Sequence, residues 1–258
     1  MRLRKRTAIV VCGVTLVVAL ASLYWWREAP ERKVPRLLRE LRDLPTGKFE
    51  IFYLGRSSEQ IHTDLDRLGP RAVPALIEAL DDTYPTIRYL AAGQLGRVRD
   101  PRAVKPLIRC VQKDPDYVVR AWAAGALGDI GDHRATDTLI ASLKVEDSHL
   151  RFRAAKALGK IGDKRAFEPL VSLLHDKEIY LRAHAVEALG GLGDERAFEI
   201  LLRILESDED SWVRSMAAKG LGRLGDRRAS AALTKAAADP SWQVNEAAME
   251  SLGRLQRK

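Results

Sequence analysis

A repeating unit of about 31 residues constrains this chain more than any other feature. Leu-Gly recurs along the sequence with its glycines 31 or 32 residues apart, at Gly96, Gly128, Gly159, Gly190, Gly222 and Gly253. Arg-Ala recurs with a similar period, at Arg71, Arg102, Arg134, Arg165, Arg196 and Arg228. Self-similarity at such a period is typical of stacked repeat architectures. The sequence therefore predicts six copies of one unit over residues 70–255.

Each copy is predicted to form two helices. The first starts at an aspartate that can cap its backbone N–H groups, as at Asp100, Asp132, Asp163, Asp194 and Asp226. The second carries one apolar stripe, and Gly190 or Gly193 can take the left-handed turn that ends it. Neither helix can bury its stripe alone, so the copies must stack on one another. The predicted fold class is all-α, an α-solenoid of about six helix pairs preceded by one transmembrane helix.

Charged residues also recur at fixed positions in the repeat. An arginine stands eight residues before most of the repeat glycines, and an aspartate stands six residues before most of those arginines. The third copy has Val145 in place of the aspartate, and the sixth has Asn245 in place of the arginine. A contact that recurs in every copy belongs to the scaffold rather than to a single binding site. We therefore predict a structural ladder of Asp82, Arg88, Asp114, Arg120, Arg151, Asp176, Arg182, Asp208 and Arg214.

This pattern resembles the HEAT repeat family, in particular the short HEAT-like units of phycobilin lyases. The resemblance is carried by Val213-Arg214 with Ala217-Ala218 and Leu221-Gly222, and by the run Gly162-Asp163-Lys164-Arg165-Ala166. It implies that the aspartates and arginines of the ladder bond the backbone and neighbouring copies. It covers nearly three quarters of the chain and is informative about fold more than about function.

Residues 7–26 carry no charge and are rich in Val, Leu and Ala. A helix of this length spans about 30 Å, enough to cross the hydrocarbon core of a bilayer. We predict a basic cytoplasmic tail at residues 1–6 and a transmembrane signal anchor at residues 7–26. The protein would then be a single-pass membrane protein with a cytoplasmic N-terminus and an exported solenoid, periplasmic or otherwise extracytoplasmic. A cleaved signal peptide is the alternative, because Ala19 and Ala21 form a small-residue cleavage site.

Residues 27–69 are predicted to join the anchor to the solenoid at residues 70–258. Val34, Leu37, Leu38 and Leu41 predict an amphipathic juxtamembrane helix. Residues 48–54 fit either a short strand or an irregular cap. This segment is expected to cover the N-terminal end of the stack.

Charge and motifs narrow the possible functions. The 258 residues carry 43 Lys and Arg against 35 Asp and Glu, a net charge of +8, and residues 1–6 supply four of these charges. A body this mildly basic argues against a nucleic-acid partner. The five histidines form no metal-binding spacing, and no glycine-rich phosphate loop precedes a strand. We predict no catalytic residues, no metal site and no cofactor, and leave open whether the chain is an enzyme.

The inner surface of the solenoid is the remaining candidate for a binding site. Large aromatic side chains at positions not needed for the core favour partner binding, because such anchors dominate interface energies. The predicted partner-binding residues are Trp122, Arg153, Lys156, Tyr180, His184, Trp212 and Met216. Alternatively, Tyr180 and Trp212 pack between copies, and Arg153 and Lys156 form a solvated face.

The predicted function is a membrane-tethered scaffold that binds an acidic or amphipathic protein partner on its concave surface. The alternative, implied by the resemblance to phycobilin lyases and to deoxyhypusine hydroxylase, is a lyase-like or oxidoreductase-like protein that handles a pigment or a metal cofactor.

Overall fold

The computed structural model describes residues 29–42 and 58–256, and these residues form α-helices and short turns without strands. Two helices precede the repeats, α1 (Pro30–Arg42) and α2 (Ser58–Leu68). The first helices of the six copies, called outer helices, are α3 (Val73–Ala79), α5 (Val104–Lys113), α7 (Thr136–Ser142), α9 (Phe167–Ser172), α11 (Ala197–Ser207) and α13 (Ser230–Ala236). The second helices, called inner helices, are α4 (Pro85–Val98), α6 (Tyr117–Ile130), α8 (Ser148–Ile161), α10 (Ile179–Gly191), α12 (Ser211–Leu224) and α14 (Trp242–Gln256). The predicted all-helical, solenoid-like fold is confirmed.

The inner helices pack side by side along the stack, whereas consecutive outer helices make few contacts with each other. The stack therefore curves, with the inner helices on its concave side. The leucine of the Leu-Gly motif is fully buried in each of the first five copies, at Leu95, Leu127, Leu158, Leu189 and Leu221. At the N-terminal end, α1 buries Val34, Leu37 and Leu38 and packs against α2, α3 and α4.

Aspartate side chains cap the N-terminal ends of the helical segments. In the turn before α5, Asp100 accepts a hydrogen bond from the backbone N–H of Arg102 at 2.9 Å, and the equivalent aspartates of later copies do the same. At the start of α6, Asp116 accepts from the N–H groups of Val118 and Val119. Each bond satisfies a donor that the first turn of a helix leaves without a partner.

The repeat glycines allow close helix packing rather than turns. A Cβ atom on Gly128 would lie 2.6 Å from the Cα of Ala157 on the next inner helix, closer than atoms can approach. Gly190 lies inside α10 against Gly220 of α12, so it is not the turn residue that the sequence left open. Gly193, with φ of 64°, has the left-handed conformation.

The predicted membrane anchor at residues 7–26 lies outside the described residues, as do residues 1–6 and the predicted strand or cap at residues 48–54. Within residues 29–42 and 58–256, no helix has the length and apolarity needed to span a bilayer. The longest of these helices, α14, has 15 residues, or about 22 Å against the roughly 30 Å required. On this finding the predicted localisation, a single-pass membrane protein with an exported solenoid, is wrong. The anchor and the preceding transmembrane helix are likewise without support.

Candidate functional site

Arginines of the inner helices connect consecutive copies. Arg88 donates from Nε and Nη2 to both carboxylate oxygens of Asp114 at 2.8 Å, and both side chains are nearly buried. Its Nη1 also donates to the backbone carbonyl of Asp82 at 3.0 Å. One guanidinium thus closes the turn of its own copy and binds the next copy, and this Arg88–Asp114 contact raises the pKa of Arg88 against the opposing effect of burial.

The same contact recurs with variations. Arg151 pairs with Asp176, Arg214 pairs with Asp239 at 3.1 Å, and Arg120 reaches Asp147 only at 3.5 Å. Asp147 therefore substitutes, at a longer distance, for the missing aspartate at Val145. Arg182 differs, because it donates to the carbonyls of Asp176 and Lys177 and has no side-chain pair with the fifth copy among the described residues. The other ladder residue, Asp208, accepts from the N–H of Asp210.

A row of aromatic rings, bridged at one point by an arginine, crosses the concave surface. Tyr89 stacks on Trp122 with ring centroids 5.8 Å apart, and the guanidinium of Arg153 lies 5.2 Å from the Trp122 ring. Arg153 also lies 5.4 Å from the ring of Phe152. We call the whole row the aromatic ladder; it consists of Tyr89, Trp122, Arg153, Phe152, His184, Trp212 and Tyr180.

The second half of the aromatic ladder lies on α8, α10 and α12. The His184 ring packs 4.6 Å from Phe152 on one side and 5.5 Å from Trp212 on the other. The rings of Tyr180 and Trp212 meet in a T-shaped arrangement with their centroids 4.8 Å apart. Tyr180 and Trp212 therefore do pack between copies, as one reading of the sequence expected, but Tyr180 remains 72% exposed.

The structure brings most of the predicted binding residues to one surface. Trp122 is 39% exposed, whereas the side chains of Arg153, Lys156, His184 and Trp212 are half-buried.

Met216 is the exception. It is only 6% exposed and belongs to the hydrophobic core. Burial of its flexible apolar side chain stabilises the fold. Met216 therefore offers no surface to a partner, and its assignment as a binding residue is corrected.

Two members of the aromatic ladder were missed by sequence reasoning. Tyr89 and Phe152 each directly follow the repeat arginine, at a position where the second, fourth and fifth copies have Ala121, Ala183 and Ser215. A large aromatic at a position that is otherwise small was the signal that could have found them.

A pocket of about 370 Å³ lies at the N-terminal half of the groove, between α2, α4, α6 and α8. It exists because the inward-facing position that holds Lys156 in the third copy is Gly93 in the first copy and Gly125 in the second. Trp122 and Tyr89 form its aromatic wall.

The basic side chains at this pocket are of two kinds. Lys160 pairs with Asp129, and Arg97 pairs with Asp66. In the part of the chain that the structure describes, no carboxylate forms an ion pair with Arg153 or Lys156. The pocket therefore has two positive charges without direct counterions.

A buried acid lies farther along the groove. Glu187 is 9% exposed, with Arg223 at 2.6 Å and Nδ1 of His184 at 3.4 Å. His184, followed by the charges of Arg223 and Lys156, lowers the pKa of Glu187 to about 2, although burial alone would raise it. Glu187 is therefore a carboxylate at neutral pH, and Arg223 compensates its negative charge within the groove.

Comparison with known proteins identifies the repeat. Three overlapping segments, residues 63–127, 112–180 and 167–253, match the family described as HEAT repeats. The chain belongs to the HEAT repeat family.

One curated relative of this HEAT-repeat protein is the phycocyanobilin lyase subunit alpha of Synechococcus elongatus. The two are 36% identical over 91 residues, which are 32% of this chain and 30% of the relative. The match thus spans less than a third of that relative's length.

Solved structures share the fold. The complex of CpcE and CpcF of phycocyanin lyase from a Nostoc species contains a chain that superposes with a TM-score of 0.53 at 24% identity, over 83% of this chain and 98% of that chain. Kap121p bound to Pho4p superposes with a TM-score of 0.64 at 15% identity, over 88% of this chain and 29% of Kap121p. At these identities the likeness concerns the fold alone.

The described residues of this HEAT-repeat protein contain no group of three or more His, Cys, Asp or Glu side chains arranged to hold a metal ion. Cys110 is buried, and burial raises the pKa of its thiol to about 11. A thiol in this state is a poor nucleophile at neutral pH.

Proposed function

We propose that this HEAT-repeat protein is a scaffold that binds an extended segment of a partner protein along its concave surface. The observation that carries the proposal is the aromatic ladder, which runs without a break across the inner helices of five consecutive copies. Rings that are packed against neighbours yet partly exposed lose little conformational freedom on binding, and such residues dominate interface energies.

The extent of the aromatic ladder defines the size of the ligand. Neighbouring packed helices lie roughly 8–10 Å apart, so the four steps from α4 to α12 cover about 32–40 Å. An extended chain advances about 3.3 Å per residue, so a segment of roughly 10 to 12 residues spans the groove. A ligand of this length is a peptide segment rather than a small molecule.

The test is a selection from a random dodecapeptide library displayed on phage, with the purified chain as the target. The affinity of a selected, fluorescently labelled peptide is then measured by anisotropy. Trp122→Ala and Trp212→Ala are expected to weaken binding by about tenfold or more. Trp242→Ala is the matched control, because Trp242 is 69% exposed on α14 but outside the aromatic ladder.

Two results would count against the scaffold. Either no peptide is enriched over a blank surface, or Trp122→Ala and Trp212→Ala bind the selected peptides as well as the wild type and Trp242→Ala do. Circular dichroism of each variant separates a lost contact from a lost fold.

A second candidate function is lyase-like handling of a pigment, favoured by the 91-residue match to a phycocyanobilin lyase subunit. Incubating the purified chain with phycocyanobilin and recording the absorption spectrum tests it. A shifted and sharpened visible band would support pigment binding, and an unchanged spectrum would count against it.

A further inference from the structure

The pocket between α2, α4, α6 and α8 has a charge pattern that the aromatic ladder alone does not explain. Arg153 and Lys156 lie one helical turn apart on α8, so both side chains extend from the same face of that helix. Glu187 is near enough to Lys156 to feel its charge, but Glu187 is already paired with Arg223. The pocket therefore has a net positive charge that a ligand can neutralise.

Close contacts hold the side chains that line the pocket. The Trp122 ring packs against α4, where it stacks on Tyr89 and lies so close to Gly93 that an added Cβ there would be 3.0 Å from the ring. The guanidinium of Arg153 lies against Trp122 and over Gly125, where an added Cβ would lie 3.6 Å from Nη1. A guanidinium fixed in this way can bind a carboxylate through two donors with little loss of entropy.

We propose that this pocket selects the bound segment by an acidic residue, whose carboxylate is bound by Arg153 and Lys156 while its neighbouring apolar atoms pack on Trp122. The inference rests on the proposed function, since it assigns the sequence preference of the same groove. Charge complementarity favours an acidic peptide over a neutral or basic one.

The experiment repeats the dodecapeptide selection with three targets: the wild type, Arg153→Gln/Lys156→Gln, and Lys105→Gln/Lys113→Gln. The last is a charge-matched control, because Lys105 and Lys113 are exposed on the outer helix α5. We expect peptides selected on the wild type and on the control to be enriched in Asp and Glu. Peptides selected on Arg153→Gln/Lys156→Gln should lose that enrichment.

Affinities give the second readout. A labelled acidic peptide from the wild-type selection should bind Arg153→Gln/Lys156→Gln about tenfold more weakly, and a version with Gln for Glu should not distinguish the two proteins. Gly125→Leu should also weaken the acidic peptide, because its side chain fills the pocket. The same substitution favours helix formation, so reduced binding by a protein that is no less stable points to the pocket itself.

The outcomes separate the two proposals. Wild-type peptides without acidic enrichment, or an enrichment that persists in Arg153→Gln/Lys156→Gln, would overturn the carboxylate pocket and leave the scaffold standing. A wild type that selects no peptide at all would overturn both.

Discussion

At the scale of single residues, Arg99 has a conformation that its side chain disfavours. It ends α4 with φ of 57°, and among the described residues it is the only one other than glycine with positive φ. Other inner helices end with Gly131, Gly162 and Gly225 in the same left-handed conformation. A residue with a Cβ has a steric cost there that glycine avoids.

Arg99→Gly is therefore expected to raise the free energy of unfolding by roughly 0.5–1 kcal/mol, the relief of strain less the added entropy of the unfolded chain. Gly131→Arg should lower it by a similar amount, because an added Cβ at Gly131 meets no atom within 4 Å and the cost is conformational. Urea unfolding measures both. Equal stability of the wild type, Arg99→Gly and Gly131→Arg would contradict a conformational cost at Arg99.

Glu187 makes stability depend on pH. Its pKa is lowered to about 2 in the folded chain, against about 4.3 in an unfolded one. The ionised form thus stabilises the fold above about pH 4.3, and this contribution, of order 1–2 kcal/mol after allowance for solvent screening, is lost as the pH falls toward 2.

Glu187→Gln should lower stability at pH 7 and flatten its decline between pH 4.5 and 2, as urea midpoints at several pH values can measure. Glu250→Gln is the control, because Glu250 holds the equivalent position in the sixth copy and forms only an exposed pair with Arg254. A decline as steep in Glu187→Gln as in the wild type would contradict the assigned role.

At the scale of helices, the strength of the link between copies varies along the stack. The Arg88–Asp114 pair is nearly buried and uses two donors. At the equivalent position between the fourth and fifth copies, Asp208 keeps its bond to the N–H of Asp210, but it has no pair with Arg182 among the described contacts. These two aspartates therefore differ in one interaction, the bond between copies.

Asp114→Ala is expected to cost about 3 kcal/mol of unfolding free energy, because it leaves a buried guanidinium without its partner. Asp208→Ala should cost about 1 kcal/mol, the value of a local side-chain bond to the backbone. Chemical denaturation of the two variants measures the difference. Equal losses would show that the arginine pair adds nothing beyond the turn.

For the whole molecule, each copy contacts mainly its neighbours, so stability is approximately a sum over copies and their interfaces. Deleting residues 132–162 removes one complete unit and joins Gly131 to Asp163 in register. Gly128 then faces Ala188, a residue of the same size as its present neighbour Ala157.

The shortened chain should fold with unchanged helicity per residue by circular dichroism and a urea m-value reduced in proportion to its length. It should also lose peptide binding, since α8 carries Arg153, Lys156 and Phe152. Deleting residues 132–146 alone removes only the outer half of a unit and should prevent correct stacking. Similar behaviour of the two deletions would argue against a modular stack.

Several features of the candidate site were predictable because they depend on the position of a residue within its own helix. Trp122, Arg153, Tyr180 and Trp212 fall on the inner face at helical spacing, and the structure places them together. Met216 holds the same position in its copy as Trp122 does, two residues after the repeat arginine, but Met216 is buried. The position in the repeat gives the direction of a side chain and not the space available around it.

The repeat, the two helices of each copy and their caps follow from the order of the amino acids alone, because they depend on periodicity and on contacts a few residues apart. The side chains that meet across copies could be identified only from the three-dimensional packing. It placed Arg88 on Asp114, Gly190 against Gly220 and the Arg153 guanidinium over Trp122, each pair separated by about 26–31 residues. Such pairs depend on how closely and at what angle two helices pack, and that geometry results from all the side chains in the interface together.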